Sequence, residues 1–372
     1  DLDERPSLVA QATDEEGTAG EAADGAEIAG RTQDFRDDGA YTAECANVIR
    51  CHEESCRTVR FLPSGKGKKS RATRLVTASA DSTAAVWDVA ASKQLSSHPL
   101  KSGGNSVLPI DSYCFAVGDD EGGVYIFDVR QGSVHPVRKY EENEDFITDM
   151  VMGSDDNSLC VTSGDGTLAV YDVRKKPRLI AMSDFQEDEF MSLTLMREGT
   201  KVVCGSQNGV LCIFTWGDFG DQKDRIPGHP MSVDALAKLR EDVLLTGASD
   251  GKVRIVTTYH PLYGNRIIGE VAQHGAWPIE RLSLSPDGQF FATASHSQPA
   301  VKLWRVEDAV RLLEEFDPVE NFPVKSGPQS LDPLSDASSE PPAKRAKKGK
   351  RAAKKRPKSM ATTQQLFFSK MS

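Results

Sequence analysis

Residues 202–236 read VVCGSQNGVLCIFTWGDFGDQKDRIPGHPMSVDAL. An apolar run, Val202–Gly205, meets a turn at Gln207-Asn208-Gly209, and a second apolar run, Val210–Phe214, follows. Asn-Gly between two such runs predicts a β-hairpin, because both residues tolerate the positive φ of a tight two-residue turn. A polar loop then leads to Gly228-His229 and a new strand from Ser232.

The same unit recurs outward in both directions: SADSTAAVWDV (79–89), GDDEGGVYIFDV (118–129), SGDGTLAVYDV (163–173), ASDGKVRIVTT (248–258) and SHSQPAVKLWRV (295–306). The residue closing each second strand is Trp87, Phe127, Tyr171, Phe214, Val256 or Trp304, at successive separations of 40, 44, 43, 42 and 48. A period of about 40–45 with a terminal Trp-Asp and an upstream Gly-His marks a WD repeat. Asp88, Asp128 and Asp172 keep the Asp; His52, His229 and His274 keep the His. One four-stranded sheet cannot bury both faces alone, so such units stack radially. The expected fold is all-β, a WD-repeat β-propeller with six recognisable blade units and disordered tails.

With 372 residues, 38% of them hydrophobic, the chain can build one large β domain plus tails. No apolar run approaches the roughly 18–20 residues that cross a bilayer, so no membrane partner is expected. Seven cysteines, several inside predicted strands (Cys114, Cys160, Cys204, Cys212), read as thiols in a reducing compartment. The cluster Cys45, Cys51, His52, Cys56 has no paired Cys-x-x-Cys spacing, and His52 already has a repeat position; neither metal nor cofactor is expected.

Residues 1–40 are acidic, with twelve Asp or Glu and three Arg in the first 38, and are expected to be disordered. Residues 41–50 read as an outer strand that closes the ring against the Trp304 strand, removing a sheet edge. The propeller is placed at 41–308. The insertion FLPSGKGKKSRATR (61–74) carries Lys66, Lys68, Lys69, Arg71 and Arg74 without P-loop glycine spacing, and reads as a solvated hairpin loop or, alternatively, as a phosphate-contacting finger. Glu307–Phe316 fits a short amphipathic helix inside a linker, 309–343. The tail, 344–372, holds ten cations and no acid between Lys344 and Lys358: Lys344, Arg345, Lys347, Lys348, Lys350, Arg351, Lys354, Lys355, Arg356 and Lys358. On a chain of net charge −10 this points to nuclear targeting and non-specific RNA contact. Phe367-Phe368 stands out of the polar end.

Gly247–Gly251 formally matches the G-x-S-x-G elbow, but it lies in a repeat turn rather than between a strand and a helix. His52, Ser79 (or Thr77), Asp81 and Trp87 fit the structural hydrogen-bond network of WD propellers, with His229, His274 and Trp304 in equivalent places. Such a network is satisfied internally and rigidifies each blade. No catalytic residue and no enzyme are expected.

Phe214–Leu236, with Ser163–Arg174, Val202–Gly209 and CHEESCRTVRF (51–61), resembles the WD repeat-containing protein 55 family, which includes fungal WD-repeat proteins of ribosome biogenesis. The family-specific segment holds Trp216, Gly217, Asp218, Arg225, Gly228 and His229. The resemblance implies a nucleolar, non-enzymatic scaffold in rRNA processing and pre-ribosome assembly, a monomer within a larger complex of pre-ribosomal proteins. It also implies seven blades, the first here missing or reduced to residues 41–50. The alternative is a substrate receptor of a cullin-type ubiquitin ligase, since Phe127–Arg130 and Tyr171–Arg174 resemble a W-D-x-R adaptor-docking element centred on Arg130 and Arg174.

Overall fold

The computed structural model describes residues 8–11, 48–63, 73–174, 178–295, 297 and 300–316. Residues 1–323 form one compact unit; the second, 324–372, lies outside the described residues, and with it the targeting run and Phe367-Phe368.

The repeats become six four-stranded antiparallel sheets. A short strand β1 (Leu8–Gln11) comes first in the chain. Sheet 1 is β2 (Cys56–Phe61), β3 (Arg74–Ser79), β4 (Thr83–Asp88) and β5 (Lys93–Pro99). Sheet 2 is β6 (Gly104–Pro109), β7 (Cys114–Asp119), β8 (Val124–Asp128) and β9 (Arg138–Tyr140). Sheet 3 is β10 (Ile147–Met152), β11 (Ser158–Ser163), β12 (Leu168–Asp172) and β13 (Arg178–Met182). Sheet 4 is β14 (Phe190–Met196), β15 (Lys201–Ser206), β16 (Leu211–Thr215) and β17 (Asp224–Ile226). Sheet 5 is β18 (Val233–Arg240), β19 (Val243–Ala248), β20 (Lys252–His260) and β21 (Gly264–Gln273). Sheet 6 is β22 (Arg281–Leu284), β23 (Phe290–Ser295) and β24 (Ala300–Arg305), completed by β1.

That last pairing corrects the expected closure. The strand on β24 is Leu8–Gln11, in register Leu8↔Leu303 to Gln11↔Ala300. Residues 48–50 are not strand, and 41–47 lie outside the described residues. An outer strand needs only extended backbone to satisfy an edge, so four residues of the stretch expected to be disordered suffice.

Alternation along each strand sends one set of side chains to each neighbouring sheet. Five apolar clusters fill the five joints from sheets 1/2 to sheets 5/6; the last gathers Leu245, Val253, Ile255, Ile279, Leu282 and Phe291. No such cluster among the described residues joins sheet 6 to sheet 1. The chain length agrees: five joints use four to seven residues (100–103, 141–146, 183–189, 227–232, 274–280), whereas 12–55 separate β1 from β2.

Helix α1 (Val306–Glu315) forms where expected and buries Val306, Ala309 and Leu313 with sheet 5. Gly269 on β21 lets it approach, since a Cβ there would lie 3.0 Å from Leu312 Cδ2. Among the described residues no helix is long and apolar enough to cross a membrane.

Candidate functional site

The recurring polar residues are consumed in internal networks. In sheet 1, His52 shares hydrogen bonds through Nε2 with Thr77 Oγ1 (2.7 Å) and through Nδ1 with Asp81 and Thr83 (3.0 Å each). Trp87 Nε1 donates to the same Thr77 hydroxyl at 3.1 Å. Thr77 is therefore the hub, and Ser79 serves the turn by accepting the Asp81 N–H at 3.1 Å. Burial pushes the Asp81 carboxyl up, but bonds from Thr83, the Glu53 N–H and His52 outweigh it and hold the group below the usual carboxylate range.

Sheet 6 repeats the design: His274 Nδ1 meets Thr293 Oγ1 at 2.7 Å, and Trp304 Nε1 donates to it at 3.0 Å. In sheet 5, His229 Nε2 meets Thr246 Oγ1 at 2.8 Å. Burial, then the charge of Arg254, lowers the His229 pKa to about 4. In sheet 3 an Asn takes the His place, Asn143 Oδ1 accepting from the Tyr171 hydroxyl at 2.6 Å. The equivalent Thr recurs within VTAS, VTSG, LTGA and ATAS (76–79, 161–164, 245–248, 292–295), although Thr162 of the second bonds Thr148 instead.

The sheet 1 network faces the seam, where it lines an open cleft of about 480 Å³ with Arg50, Cys51, Glu53 and Gln94. Ligand atoms of Cys51, His52 and Cys56 lie within 4.8 Å of one another. Both ring nitrogens of His52 are already engaged, and burial, then the neighbouring Cys51, pushes the Cys56 thiol up to about 12. A cation would have to break the network and deprotonate that thiol, so these three residues do not form a prepared metal site.

Ser249 of the G-x-S-x-G match donates to Asp234 Oδ2 at 2.5 Å and shares a bond with Ser232. Among the described residues no histidine touches it, and burial raises the Asp234 carboxyl. Nearby, Arg281 Nη2 of sheet 6 reaches the Asn105 carbonyl of sheet 2 at 3.4 Å. Burial pushes the Asp149 carboxyl up, opposed by the Met150 N–H and by the charges of Arg60 and Arg281.

The family-specific segment is packing. Phe219 is buried in the cluster shared by sheets 3 and 4 and lies edge-on to Trp216, ring centres 5.3 Å apart. Trp216 in turn covers Gly153, where a Cβ would stand 2.5 Å from the indole. Gly217 (φ +86) and Asp218 shape the turn, the Asp218 N–H donating to the Thr215 carbonyl at 2.9 Å. Arg225 pairs in the ladder opposite Cys212, and Gly228 (φ +127) leads into His229.

Arg130 and Arg174 occupy equivalent places in sheets 2 and 3. Arg130 donates from Nε and Nη2 to Asp128 at 2.9 and 2.7 Å. Arg174 donates likewise to Asp172 at 3.0 and 2.7 Å. The Arg174 side chain, then its backbone N–H, lowers the Asp172 pKa to about 2. Both guanidiniums remain mostly exposed.

Comparison with known proteins places this geometry. The WDR55 family model matches residues 26–309. WD repeat-containing protein 55 of Arabidopsis thaliana is 38% identical over 284 residues, 76% of each chain. The Homo sapiens protein of that name is 34% identical over 256 residues, 68% of this chain and 63% of its own. WD repeat-containing protein JIP5 of Laccaria bicolor is 41% identical over 190 residues, 48% of this chain and 44% of its own. The chain thus spans about three quarters of the first of these relatives and under two thirds of the other two.

Proposed function

From the premise that this chain belongs to the WDR55 family of WD-repeat proteins, we propose that it is a non-enzymatic scaffold in nucleolar ribosome biogenesis. It acts in rRNA processing and pre-ribosome assembly, chiefly through contacts with pre-ribosomal proteins. The observation that carries the scaffold reading is the fate of the recurring Asp, His, Ser and Thr groups. They bond one another inside the sheets, and among the described residues none presents a nucleophile beside a free base. What the molecule offers outward is loop-borne side chains on a rigid frame, the usual dress of an assembly platform.

The nucleolar setting rests on the basic run Lys344–Lys358, which supplies a targeting signal and salt-sensitive affinity for RNA. The test is sucrose-gradient sedimentation of the tagged protein from nuclear extract, with pre-rRNA analysis after depletion. Co-sedimentation with large pre-ribosomal particles and accumulation of precursors is the expected result. A small complex with normal rRNA processing overturns the proposal.

A further inference from the structure

Large apolar side chains stand open to water in three successive joints between sheets. Phe185 (73% exposed), Met231 (52%) and Trp277 (53%) lie in the joints that leave sheets 3, 4 and 5. Fourth strands finish and first strands begin beside the turn between second and third strands, so all the joints emerge at one end of the sheets.

Each of these joints is clamped from two sides. A Cβ on the turn residue Gly122, Gly166, Gly209 or Gly251 of the sheet before would stand 2.8–3.0 Å from the carbonyl oxygen of Asp145, Asp188, Met231 or Trp277, respectively. The turn of the sheet after donates into the joint. The Gly164, Gln207 and Ser249 N–H groups bond the Phe146, Glu189 and Ser232 carbonyls at 2.9, 3.0 and 3.0 Å. Met231 and Trp277 thus hold the place that Asp145 and Asp188 hold in the earlier joints. Side chains presented by so fixed a frame lose little freedom when a partner binds.

The charge beside them has one sign. Joints 141–146 and 183–189 contain eight Asp or Glu and neither Lys nor Arg. Among the described residues only Glu141 of the eight is paired with a cation, Lys139 Nζ at 2.7 Å. Arg57 and Lys101, at the same end of sheets 1 and 2, are taken by Asp120 and Glu121 at 2.6 and 2.8 Å. Glu144, Asp184 and Glu187 are exposed. Joint 227–232 follows with no Asp, Glu, Lys or Arg and with Met231 outward. A surface that passes from unpaired carboxylates around Phe185 to an uncharged apolar step repels a phosphate backbone and attracts cations. It suits a segment that brings Lys or Arg with apolar side chains between them, which supply the contact area that charge alone lacks.

We propose that this end of sheets 2–5 is a docking surface for a basic protein segment carrying apolar anchors. The proposal rests on the scaffold reading and names the chemistry of one of its partners.

The test is fluorescence anisotropy, at low and at physiological salt, with the full chain and a pool of short labelled peptides in which Lys or Arg alternate with Leu or Phe among Ser and Gly. A matching Asp/Glu pool and a short single-stranded RNA are run beside it. The basic tail is present in every chain, so the readout is the difference between the parent and two variants, Glu144→Gln/Asp184→Asn/Glu187→Gln and Phe185→Ser/Met231→Ser. Both variants alter exposed side chains, and an unchanged melting temperature confirms the fold. Expected is a loss of about fivefold or more in affinity for the basic pool in each variant, with salt weakening the parent more than the charge variant. Equal affinity in parent and variants overturns the proposal, as does an equal loss for the acidic pool or the RNA. Binding that appears only once the ten cations of Lys344–Lys358 are exchanged for Gln assigns the surface to the chain's own tail and also overturns it. Failure here with intact pre-ribosome co-sedimentation removes this surface and leaves the scaffold reading standing.

Discussion

The joint between sheets 5 and 6 and the seam between sheets 6 and 1 start from the same pattern and end in opposite environments. On sheet 5, Leu245, Val253 and Ile255 face sheet 6 and are wholly buried. Their register equivalents on sheet 6 are Ala292, Val301 and Leu303; Val301 is 49% and Leu303 38% exposed. Across the seam, Val59 and Phe61 of β2 are exposed as well, Phe61 by 57%. An alternating strand prepares both of its faces for burial, but the gain in free energy comes only when a neighbour removes water. The side chains bear this out: where sheet 5 uses Ala237 and Leu245, sheet 6 has Ser283 and Ala292.

The largest expected effect breaks the closed joint. Leu245→Ala should cost about 2–5 kcal/mol by removing a buried side chain and leaving a cavity. Leu303→Ala at the seam should stay under about 1 kcal/mol. Urea denaturation of both variants checks the pair; equal losses would mean that the seam is packed as tightly as the joint.

Overpacking sharpens the same contrast. A Cβ on Gly247 would stand 2.7 Å from Ile279 Cγ2, so Gly247→Ala should cost about 1–3 kcal/mol. Ala294, at the equivalent place on sheet 6, meets no further sheet among the described residues, and Ala294→Val should change stability by about 0.5 kcal/mol or less. Melting temperatures of the two variants decide it.

The networks should separate in the same direction. Thr293→Val strands Trp304 Nε1 and His274 Nδ1 between two packed sheets, an expected cost of about 1–3 kcal/mol. Thr77→Val removes the same hub beside the open cleft, where water can replace the lost partner; about 1 kcal/mol or less is expected. Equal losses in denaturant would show the cleft to be dry.

The smallest effect is read from pH. Burial, then Arg254, holds the His229 pKa at about 4 in the fold, below the roughly 6.5 of an unfolded histidine. The unfolded chain therefore takes the proton first. The stability that neutral His229 contributes is full above pH about 6.5 and is lost as the pH falls from there through about 4. His229→Gln should flatten that part of the curve, measured as urea midpoints across this range. An unchanged slope would show that His229 titrates normally.

Much of this was legible beforehand. The six hairpins, the Asn-Gly turn at 208–209 and helix α1 followed from period and turn chemistry, and the absorption of His52, His229 and His274 into structure from their likeness to the network of WD propellers. Three things were not. The partner of β24 is four residues at Leu8–Gln11, because edge pairing asks for backbone and leaves almost no side-chain pattern. The sequence offered both Ser79 and Thr77 and the structure makes Thr77 the hub, because alternation alone says which face a residue takes but not which hydroxyl lies between His and Trp. Tyr113, in the connection between β6 and β7, stayed hidden because the guanidiniums against its ring, those of Arg74 and Arg130, come from two sheets.

By itself the sequence determined the all-β class, the repeat unit and its internal networks. These depend on local periodicity and on residues close along the chain. Only the tertiary structure decided which apolar faces lose their water and which turn residues become packing. Strand reversal carries Glu144, Asp145, Asp188 and Glu189 to the end of the sheets opposite Arg74, Arg130, Arg138 and Arg174. No stretch of sequence contains that placement, because it is made by stacking residues that lie tens of positions apart.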